Sequence, residues 1–570
     1  MSEQQSKTLS KIEEIKISSN RLRGTIAEEL DNDLTSFSSD TEQVLKFHGI
    51  YNQDNRDVRA ERKKAGQDLE HICMIRLALP GGRLTAQQYL LIDSLSDLVG
   101  NGSLRVTTRQ GIQFHFVTKK NVKQSIKEVN KILITTYAGC GDVVRNVTAC
   151  PSPHPEIENI GLSELAEAIS RRYKPASKAY YEIWLDGEKL ETGSKNETET
   201  IYGDAYLPRK FKIGLTSEDD NCIDVLSCDL ALVLSKTDHQ KIKIFVGGGL
   251  GRAHADDTTK ALLAQPLTHI TRDQLFPVID GIIGIQRDNG DRFDRSHARF
   301  KYLVEQWGTQ KILEELEKRV GFALPALDEF HFGASEDHLG WTEQSDHKFS
   351  YGVKVPSGRI IDTTSAKYRS AIREIASRFS ASIRFTAKED VILSDIELAQ
   401  KEQVLEILER HEVPVPDAYT PVSRHAFACP ALPTCGLALA ESERFLPTLL
   451  EQLDDATAEL GLQDLDIELR MTGCPNGCAR PYLGEIGIVG RSKKSYDIYL
   501  GADKFGNRLG EIYATDVVND SLVDALKPIL SLYAKEAEPV EGFGDFCNRV
   551  GIDELRKYAP EPRRRKLNVS

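Results

Sequence analysis

Polar and apolar side chains alternate from Arg105 to Phe116, and this period of two residues predicts a β-strand. The apolar face of the predicted strand consists of Leu104, Val106, Ile112, Phe114 and Phe116. The polar face consists of Arg105, Thr107, Arg109, Gln113 and His115. One interpretation is a half-buried antiparallel strand whose polar face is solvated. The other is an anion-binding surface, because this face has no acidic residue and the arginine fork suits carboxylates and phosphates.

The same pattern returns later in the chain and indicates an internal duplication. The matching segments are 79–84 with 355–360, 103–109 with 382–388, and 145–151 with 424–430. In the second copy the polar face carries Arg384, Thr386 and Lys388. Because the matches keep their order, the sequence predicts an α/β (α+β) chain of two similar halves. Polar strands from the two halves could then flank one polyanionic ligand.

Composition and charge restrict the class of protein. The chain has 570 residues, too many for one core, and its 40% hydrophobic and 28% charged content is ordinary for a globular protein. Ten cysteines are too few for a disulfide scaffold, and residues 1–20 contain no apolar signal segment. The net charge of −13 argues against nucleic-acid or membrane-surface binding, and no apolar run is long enough to span a bilayer. We expect a cytoplasmic protein with neither kind of partner.

Four cysteines form two close pairs in the second half. Five residues separate Cys429 from Cys435, and three separate Cys474 from Cys478. Two thiolate pairs predict a soft metal centre, either zinc or an iron–sulfur cluster. Structural zinc usually has tighter pairs, and the surrounding Pro and Gly favour loops around a larger [4Fe–4S] cluster. Four buried cysteines without a metal are the alternative. The matching part of the first half keeps only Cys150.

A second basic segment, 207–212, strengthens the case for anion binding. In an extended conformation Lys210 and Lys212 share one face, and Arg209 points the other way. A solvated edge strand is the alternative, since lysines often protect edges. Arg76 and Arg145 are isolated arginines that carry a weak signal alone.

No phosphate-binding glycine fingerprint is present. The glycine-rich segment 247–252 is not G-x-G-x-x-G, and the chain has no Walker motif. A metal-centred redox protein without a nucleotide site must receive its electrons from a partner protein.

Together these features resemble the sirohaem-dependent sulfite and nitrite reductase family, over nearly the whole chain. The segments that carry the resemblance are 44–51, 80–82, 109–115, 206–212 and 472–481. The double cysteine motif is highly specific for this family. The resemblance implies the six-electron reduction of sulfite to sulfide in cysteine biosynthesis, with electrons from an NADPH-oxidising flavoprotein (alpha) subunit.

The resemblance also implies the cofactors and their ligands. A [4Fe–4S] cluster would be bound by Cys429, Cys435, Cys474 and Cys478, and Cys478 would also be the axial ligand of the sirohaem iron. Seven residues would hold the sirohaem: Arg105, Thr107, Arg109, Gln113, His115, Arg209 and Asn476. Four would bind the substrate: Arg76, Arg145, Lys210 and Lys212. Because sirohaem has eight carboxylates, an acidic chain would still need this cationic surface.

The fold implied by the resemblance is an internally duplicated, pseudo-two-fold, three-domain reductase fold with mixed sheets. Its expected segments are an N-terminal, partly disordered arm for partner binding (1–65), a first ferredoxin-like half-domain (66–140), a first α/β repeat (141–325), a linker (326–345), a second ferredoxin-like half-domain (346–415) and a second α/β repeat with the cysteines (416–570).

Four other interpretations stay open. The same scaffold reduces nitrite in some relatives, and ferredoxin replaces the flavoprotein in others. A cluster-carrying electron-transfer protein without haem would not need the two basic faces. A zinc-stabilised binding module would be colourless when purified.

Overall fold

The computed structural model of the chain describes residues 8–177, 183–185, 188–190, 199–254 and 256–561. The helices are α1 Lys11–Ser18, α2 Ile26–Leu30, α3 Ser39–Leu45, α4 Arg59–Lys64, α5 Ala86–Val99, α6 Lys119–Lys131, α7 Pro155–Glu158, α8 Leu162–Arg172, α9 Leu275–Asn289, α10 Phe300–Val320, α11 Tyr368–Phe379, α12 Lys401–Arg410, α13 Pro421–His425, α14 Leu446–Glu459, α15 Leu522–Glu536, α16 Phe543–Val550 and α17 Ile552–Leu555. Within the described ranges, no helix is long and apolar enough to cross a membrane.

The strands are β1 Ile50–Asp54, β2 His71–Arg76, β3 Arg83–Leu84, β4 Leu104–Val106, β5 Ile112–Val117, β6 Thr148–Ala149, β7 Ile183–Leu185, β8 Glu188–Leu190, β9 Ile213–Ser217, β10 Leu230–Leu234, β11 Lys241–Val246, β12 Gln265–Thr271, β13 Gly340–Glu343, β14 Phe349–Val353, β15 Arg359–Ile360, β16 Ser382–Phe385, β17 Val391–Ile396, β18 Phe427–Ala428, β19 Leu469–Thr472, β20 Ile486–Ser492, β21 Ser495–Leu500 and β22 Glu511–Val518. Apart from the β7–β8 hairpin, they form four five-stranded sheets.

Two of these sheets are equivalent and exchange a strand. Their orders are β1-β2-β5-β4-β15 and β13-β14-β17-β16-β3. The short strand β15 pairs with β4 through Arg359 and Arg105, and β3 pairs with β16 through Arg83 and Arg384. Each half therefore completes the sheet of the other, and the two sheets share one hydrophobic core.

The other two sheets form the α/β units, with orders β12-β11-β10-β9-β6 and β22-β21-β20-β19-β18. Both sheets are mixed. Strands β6, β9 and β10 run parallel in the first, and β18, β19 and β20 run parallel in the second. The two remaining strands of each sheet pair in antiparallel fashion. All five residues of β10 are buried, as expected for a central strand covered on both faces. Each unit has its own core, so the described residues form three large cores: one in each α/β unit and one shared by the two sheets that exchange a strand. The predicted duplicated, pseudo-two-fold fold with mixed sheets is confirmed.

The segment predicted as one strand over 105–116 is instead a hairpin. Strands β4 and β5 are antiparallel, and residues 107–111 form the turn between them. The Thr107 hydroxyl accepts hydrogen bonds from the amides of Gly111 at 3.1 Å and Arg109 at 3.3 Å. This local hydroxyl-centred turn competes with an extended backbone. Arg105 and Gln113 still share a face, because they are directly opposite in the pairing.

Residues 8–65 of the N-terminal segment are built into the fold, and residues 1–7 of the predicted arm lie outside the described residues. The segment contains α1 to α3, and β1 is an edge strand of the first sheet. Its polar residues are satisfied inside the fold: Lys16 pairs with Glu13 and donates to the carbonyl of Leu207 at 2.7 Å. Arg292 also pairs with Glu13. A polar composition therefore concealed buried ion pairs, and the partner-binding role stays a prediction.

The expected linker over 326–345 is only partly a connection, because it contains β13, the edge strand of the second sheet. The part before β13 has little apolar periodicity, and its middle is held by hydrogen bonds to other segments. Phe332 and Asn507 form reciprocal hydrogen bonds at 2.8 and 2.9 Å, and the Asn221 amide donates to the carbonyl of Ala334 at 2.9 Å.

Candidate functional site

One cleft between the two halves is lined by fourteen of the fifteen predicted site residues. It has a volume of about 1190 Å³, part of it in the open mouth. The fourteen are Arg76, Arg105, Thr107, Arg109, Gln113, His115, Arg145, Lys210, Lys212, Cys429, Cys435, Cys474, Asn476 and Cys478. Arg209 is outside the lining, 3.9 Å from a carboxylate oxygen of Asp142. The geometry brings the residues together, and their individual roles stay predictions.

The four cysteines occupy the loops that follow β18 and β19. The Cys429 sulfur accepts a hydrogen bond from the Gly473 amide at 3.4 Å, and the Cys474 sulfur accepts one from the Asn476 side chain at 3.6 Å. All four are free thiols. Burial, followed by the charge of Cys478, raises the pKa of Cys474 to about 12 and that of Cys429 well above 9. Thiolates here need a bound cation, since a coordinating metal deprotonates a thiol outright.

The spacing of these sulfurs distinguishes a cluster from a single zinc ion. Zinc holds thiolates at about 2.3 Å, which places tetrahedral sulfurs about 3.8 Å apart. Throughout the described ranges, one group of three or more metal-ligating side chains has all its ligand atoms within 4.8 Å of one another, and it contains none of these four cysteines. A cluster of several iron atoms separates its cysteines more widely, so the residues fit a [4Fe–4S] cluster better than zinc.

Opposite the cysteines, the turn between β4 and β5 contacts their loop directly. The Thr108 hydroxyl donates to the carbonyl of Cys478 at 2.9 Å, and Arg480 donates to the carbonyl of Thr108 at 3.0 Å. Arg109 in the same turn donates to the carbonyls of Asn146 and Ile213. Its Nε is buried without a hydrogen-bond partner in the described part of the chain. The turn therefore places an arginine with an unused donor beside the cysteine loop.

His115 also has an unused donor. With the Gln113 amide assigned so that its oxygen faces Arg76, that oxygen accepts from Arg76 Nε at 2.9 Å, and the amide nitrogen donates to His115 Nε2 at 3.0 Å. The ring proton is then on Nδ1, which has no hydrogen-bond partner among the described residues. Burial, followed by the charges of Arg359 and Arg105, holds the pKa of His115 well below 6.5, so the ring is neutral. Such buried donors fit a ligand that carries acceptors, such as carboxylates.

Five cations of the cleft have no carboxylate within 4 Å among the described residues: Arg76, Arg109, Arg145, Lys210 and Lys212. Burial, followed by the charge of Arg109, lowers the pKa of Lys212 to about 7. Burial, followed by the charge of Arg145, lowers the pKa of Lys210 well below 10.5. A bound anion would raise both pKa values again, because an opposite charge favours the charged form of each lysine.

Arg105 differs from these five cations, contrary to the expectation that nothing acidic answers the basic face. Its guanidinium contacts Glu389 at 3.0 Å and Glu443 at 3.2 Å and donates to the carbonyl of Ala428 at 2.6 Å. The acids come from the second half, which the strand pattern alone could not show. Arg105 ties β4 to the residue before Cys429.

The prediction that polar strands from both halves flank one ligand is wrong. Arg384, Thr386 and Lys388 do not line the cleft. Arg384 pairs with Glu158, and Lys388 pairs with Glu468 at 3.1 Å. In the second half the cationic face is therefore neutralised inside the protein.

Sequence reasoning missed Asn146, which is part of the cleft, and Cys140, which is outside the lining but contacts Arg76. Asn146 donates to the carbonyls of Leu79 and Arg109, both at 2.8 Å. The thiol of Cys140 accepts a hydrogen bond from Arg76 at 2.8 Å. The proximity of Asn146 to Arg145 in the chain was the only available signal for the first, and Cys140 had none.

A duplicated fold whose two halves enclose four cysteines, and cations without carboxylate partners among the described residues, is typical of an oxidoreductase with a cysteine-bound metal cofactor. Residues 64–132 and 342–411 match the nitrite/sulfite reductase ferredoxin-like half domain, and 165–324 match the nitrite and sulphite reductase 4Fe-4S domain. The chain belongs to the family of the sulfite reductase [NADPH] hemoprotein beta-component, because two relatives of that name are at least 40% identical over nearly its whole length.

The relative from Paenibacillus sp. (strain JDR-2) is 41% identical over 95% of both chains. The relative from Staphylococcus saprophyticus is 40% identical over 96% of both chains. Both are named sulfite reductase [NADPH] hemoprotein beta-component. The predicted family and its sirohaem and [4Fe–4S] cofactors are thereby confirmed.

A solved structure supports the fold alone. The structure of Mycobacterium tuberculosis NirA protein matches with a TM-score of 0.77 and 22% identity, covering 96% of this chain and 97% of that one.

The match to the nitrite and sulphite reductase 4Fe-4S domain ends at residue 324, before the four cysteines. It therefore reflects the repeated α/β unit of the first half rather than the cluster ligands.

Proposed function

We propose that this chain reduces sulfite to sulfide by six electrons, with Cys478 shared between the [4Fe–4S] cluster and the sirohaem iron. The observation that carries the proposal is the single cleft in which five cations without carboxylate partners face four cysteines. The names of the relatives, which include sulfite reductase and hemoprotein, support it.

The residues of the cleft divide by chemistry into those that hold cofactors and those that hold substrate. Cys429, Cys435, Cys474 and Cys478 would hold the cluster. Carboxylates of the sirohaem would be bound by the unused donors of Arg109 and His115, with Arg105, Thr107, Gln113, Arg209 and Asn476 around them. When bound, the two groups supply single electrons to the reacting anion.

Arg76, Arg145, Lys210 and Lys212 would bind sulfite. A small dianion that loses three oxygens needs both charge stabilisation and protons, and cationic donors aimed at the reacting group provide the first. Lys212 is suited to the second, because a pKa of about 7 allows the ammonium to lose and regain a proton near neutral pH. Bound sulfite would raise this pKa again and keep the lysine charged until an oxygen departs.

The electrons would come from an NADPH-oxidising flavoprotein subunit, and the reaction would serve cysteine biosynthesis in the cytoplasm. Support comes from the words NADPH and beta-component in the relatives' names and from the lack of a nucleotide fingerprint in the sequence. A ferredoxin donor is the alternative, and reduction of the purified enzyme by each donor in turn would separate the two.

Lys212→Met tests the substrate assignment in the cofactor-loaded enzyme. We expect kcat for dye-driven sulfite reduction to fall by roughly 10²-fold, the range for loss of a positioned acid, while the visible spectrum of the haem is kept. Lys243→Met is the matched control, since Lys243 is a half-buried lysine of the same α/β unit that pairs with Glu218. Loss of sirohaem in Lys212→Met, or a wild-type kcat/KM that favours nitrite over sulfite, would contradict the proposal.

A further inference from the structure

We infer that the first half of the chain holds a metal ion of its own, a single zinc ion bound by Cys150, Asp220, Cys222 and His338. This site is separate from the cleft, and none of its residues lines that cleft. It lies where three segments meet: the end of β6, the loop after β9, and the connection before β13.

The distances between the ligand atoms suit one tetrahedral ion. The Cys150 sulfur is 3.3 Å from Asp220 Oδ2 and 3.9 Å from His338 Nε2, and these two atoms are 3.2 Å apart. All four ligand atoms, including the Cys222 sulfur, are within 4.8 Å of one another. Zinc bonds of about 2.0–2.3 Å to nitrogen, oxygen and sulfur give tetrahedral edges of about 3.4–3.8 Å. The four side chains could therefore close on one ion with small adjustments.

The type and burial of the ligands favour zinc. All four residues are buried, and two sulfurs, one imidazole and one carboxylate form a closed donor set without an evident substrate path. Soft thiolates with imidazole in tetrahedral geometry are typical of zinc, whereas magnesium and calcium prefer oxygen. Asp220 is held in place by its other oxygen, which accepts from the amides of Cys222 at 2.9 Å and Glu336 at 3.0 Å. Such outer contacts orient a metal-binding carboxylate.

The duplication explains why ligands occur at this place. The pairing of β9 with β10 aligns Ile213 with Leu230, and the pairing of β19 with β20 aligns Leu469 with Ile486, a constant offset of 256 residues. The same offset takes Cys222 to Cys478.

The strands before these loops give a second correspondence. The amide of Cys150 donates to Leu215, and the amide of Cys429 donates to Met471, which the same offset relates to Leu215. Two of the four proposed zinc ligands thus occupy the positions of two cluster cysteines. The first half therefore has two of the equivalent thiols, Cys150 and Cys222, and not Cys150 alone as the sequence repeat indicated. With Asp220 and His338 added, the site has the size of one ion.

Two other states would explain the same side chains. In one, a proton replaces the metal, and His338 forms a buried ion pair with Asp220. In the other, Cys150 and Cys222 form a disulfide. The ion pair alone leaves the two thiols beside a carboxylate without a function, whereas a zinc ion uses all four groups. The ion would also fasten the connection that carries His338 to the first α/β unit.

The test measures metals in the purified enzyme with its cofactors. We expect about one zinc per chain in addition to the iron, and X-ray absorption at the zinc edge should show two sulfur ligands at about 2.3 Å and two nitrogen or oxygen ligands at about 2.0–2.2 Å. Cys222→Ser and His338→Gln should lower zinc at least fivefold and leave the iron content and the haem spectrum unchanged. Cys547→Ser is the control, because Cys547 is a free cysteine buried in the core of the second α/β unit.

Three results would overturn the inference: an enzyme without zinc, zinc bound only to nitrogen and oxygen, or an intact mass lower by two hydrogens through a Cys150–Cys222 disulfide. Absorption spectroscopy of the unmodified enzyme decides the matter even if the variants fold poorly. Because sulfite turnover and iron content are measured separately, failure of the zinc site leaves the proposed function untouched, and the reverse also holds.

Discussion

The loops after β9 and β19 occupy equivalent places in the two halves and carry different chemistry. The first loop contains Cys222 and Asp224. The offset of 256 residues relates them to Cys478 and Arg480 in the second loop. Asp224 and Arg480 both have a left-handed backbone, with φ of 50° and 53°, and each precedes a short 3₁₀ turn. The backbone was therefore kept while the side chains diverged.

The diverged residues meet at the contact between the halves. Arg480 donates to Asp224, and Arg470 pairs with the same carboxylate at 2.5 Å. One half supplies the four thiols of the cleft, and the other supplies the cations Arg145, Lys210 and Lys212. A site built from two equivalent faces of a duplicated chain can thus become asymmetric without a change of fold.

Removing the Cys478 side chain from the cleft should produce the largest effect. Cys478→Ala is expected to lower sulfite reduction by at least ~10³-fold, because the proposed cluster loses a ligand and the haem its link to the cluster. Iron analysis and the visible spectrum of the purified variant check the cause.

Cys547→Ala serves as the control, since it removes a thiol of the same half that is buried outside the cleft, whereas Cys478 is exposed. An active Cys478→Ala enzyme with full iron content would show that the cleft does not use this cysteine, and the contrast between the two loops would lose its chemical basis.

Asp224→Asn should weaken the contact between the halves. The substitution leaves Arg470 and Arg480 buried with one carboxylate fewer, and breaking a buried ion pair typically costs about 3–5 kcal/mol. Thermal unfolding of the cofactor-loaded enzyme measures the loss. Asp238→Asn is the control: its pair with Lys241 is solvent-exposed, so a change of about 0.5 kcal/mol or less is expected. Equal effects of the two substitutions would mean that the contact is energetically unimportant.

The sequence was informative where the signal is local or repeated. The double cysteine motif and the Arg105–His115 pattern identified nine residues of one cleft, and the repeated segments predicted the two halves. It was uninformative where partners are distant in the chain. The acids that neutralise Arg105 and Arg384 are 284 and 226 residues away, and no local pattern reports them.

Turn geometry and burial of polar residues were the other failures. Residues 107–111 contain no apolar side chain, and the alternation on either side was extended through them although the Thr107 hydroxyl turns the backbone there. The N-terminal segment was polar enough to suggest disorder, yet Glu13 and Lys16 are buried against the first half. Composition reports the average solvation of a segment and cannot reveal pairing.

That N-terminal segment is a piece the second half lacks, and His48 provides a pH test of how it is held. The ring is buried, contacts the carbonyl of Leu22 at 2.7 Å, and burial lowers its pKa to about 4. Between pH 6.5 and 4 the unfolded chain binds a proton that the folded chain excludes, so the free energy of unfolding falls as the pH is lowered. A difference of about 2.5 pKa units corresponds to about 3 kcal/mol of unfolding free energy at the lower end of this pH range.

His48→Gln can keep the hydrogen bond but has no proton to gain. Its free energy of unfolding should therefore decline less steeply than that of the wild type between pH 6.5 and 4. Calorimetry at several pH values compares it with His269→Gln, which changes an exposed histidine of β12. Parallel curves for wild type and His48→Gln would show that the segment opens before this proton binds and that its docking does not limit acid stability.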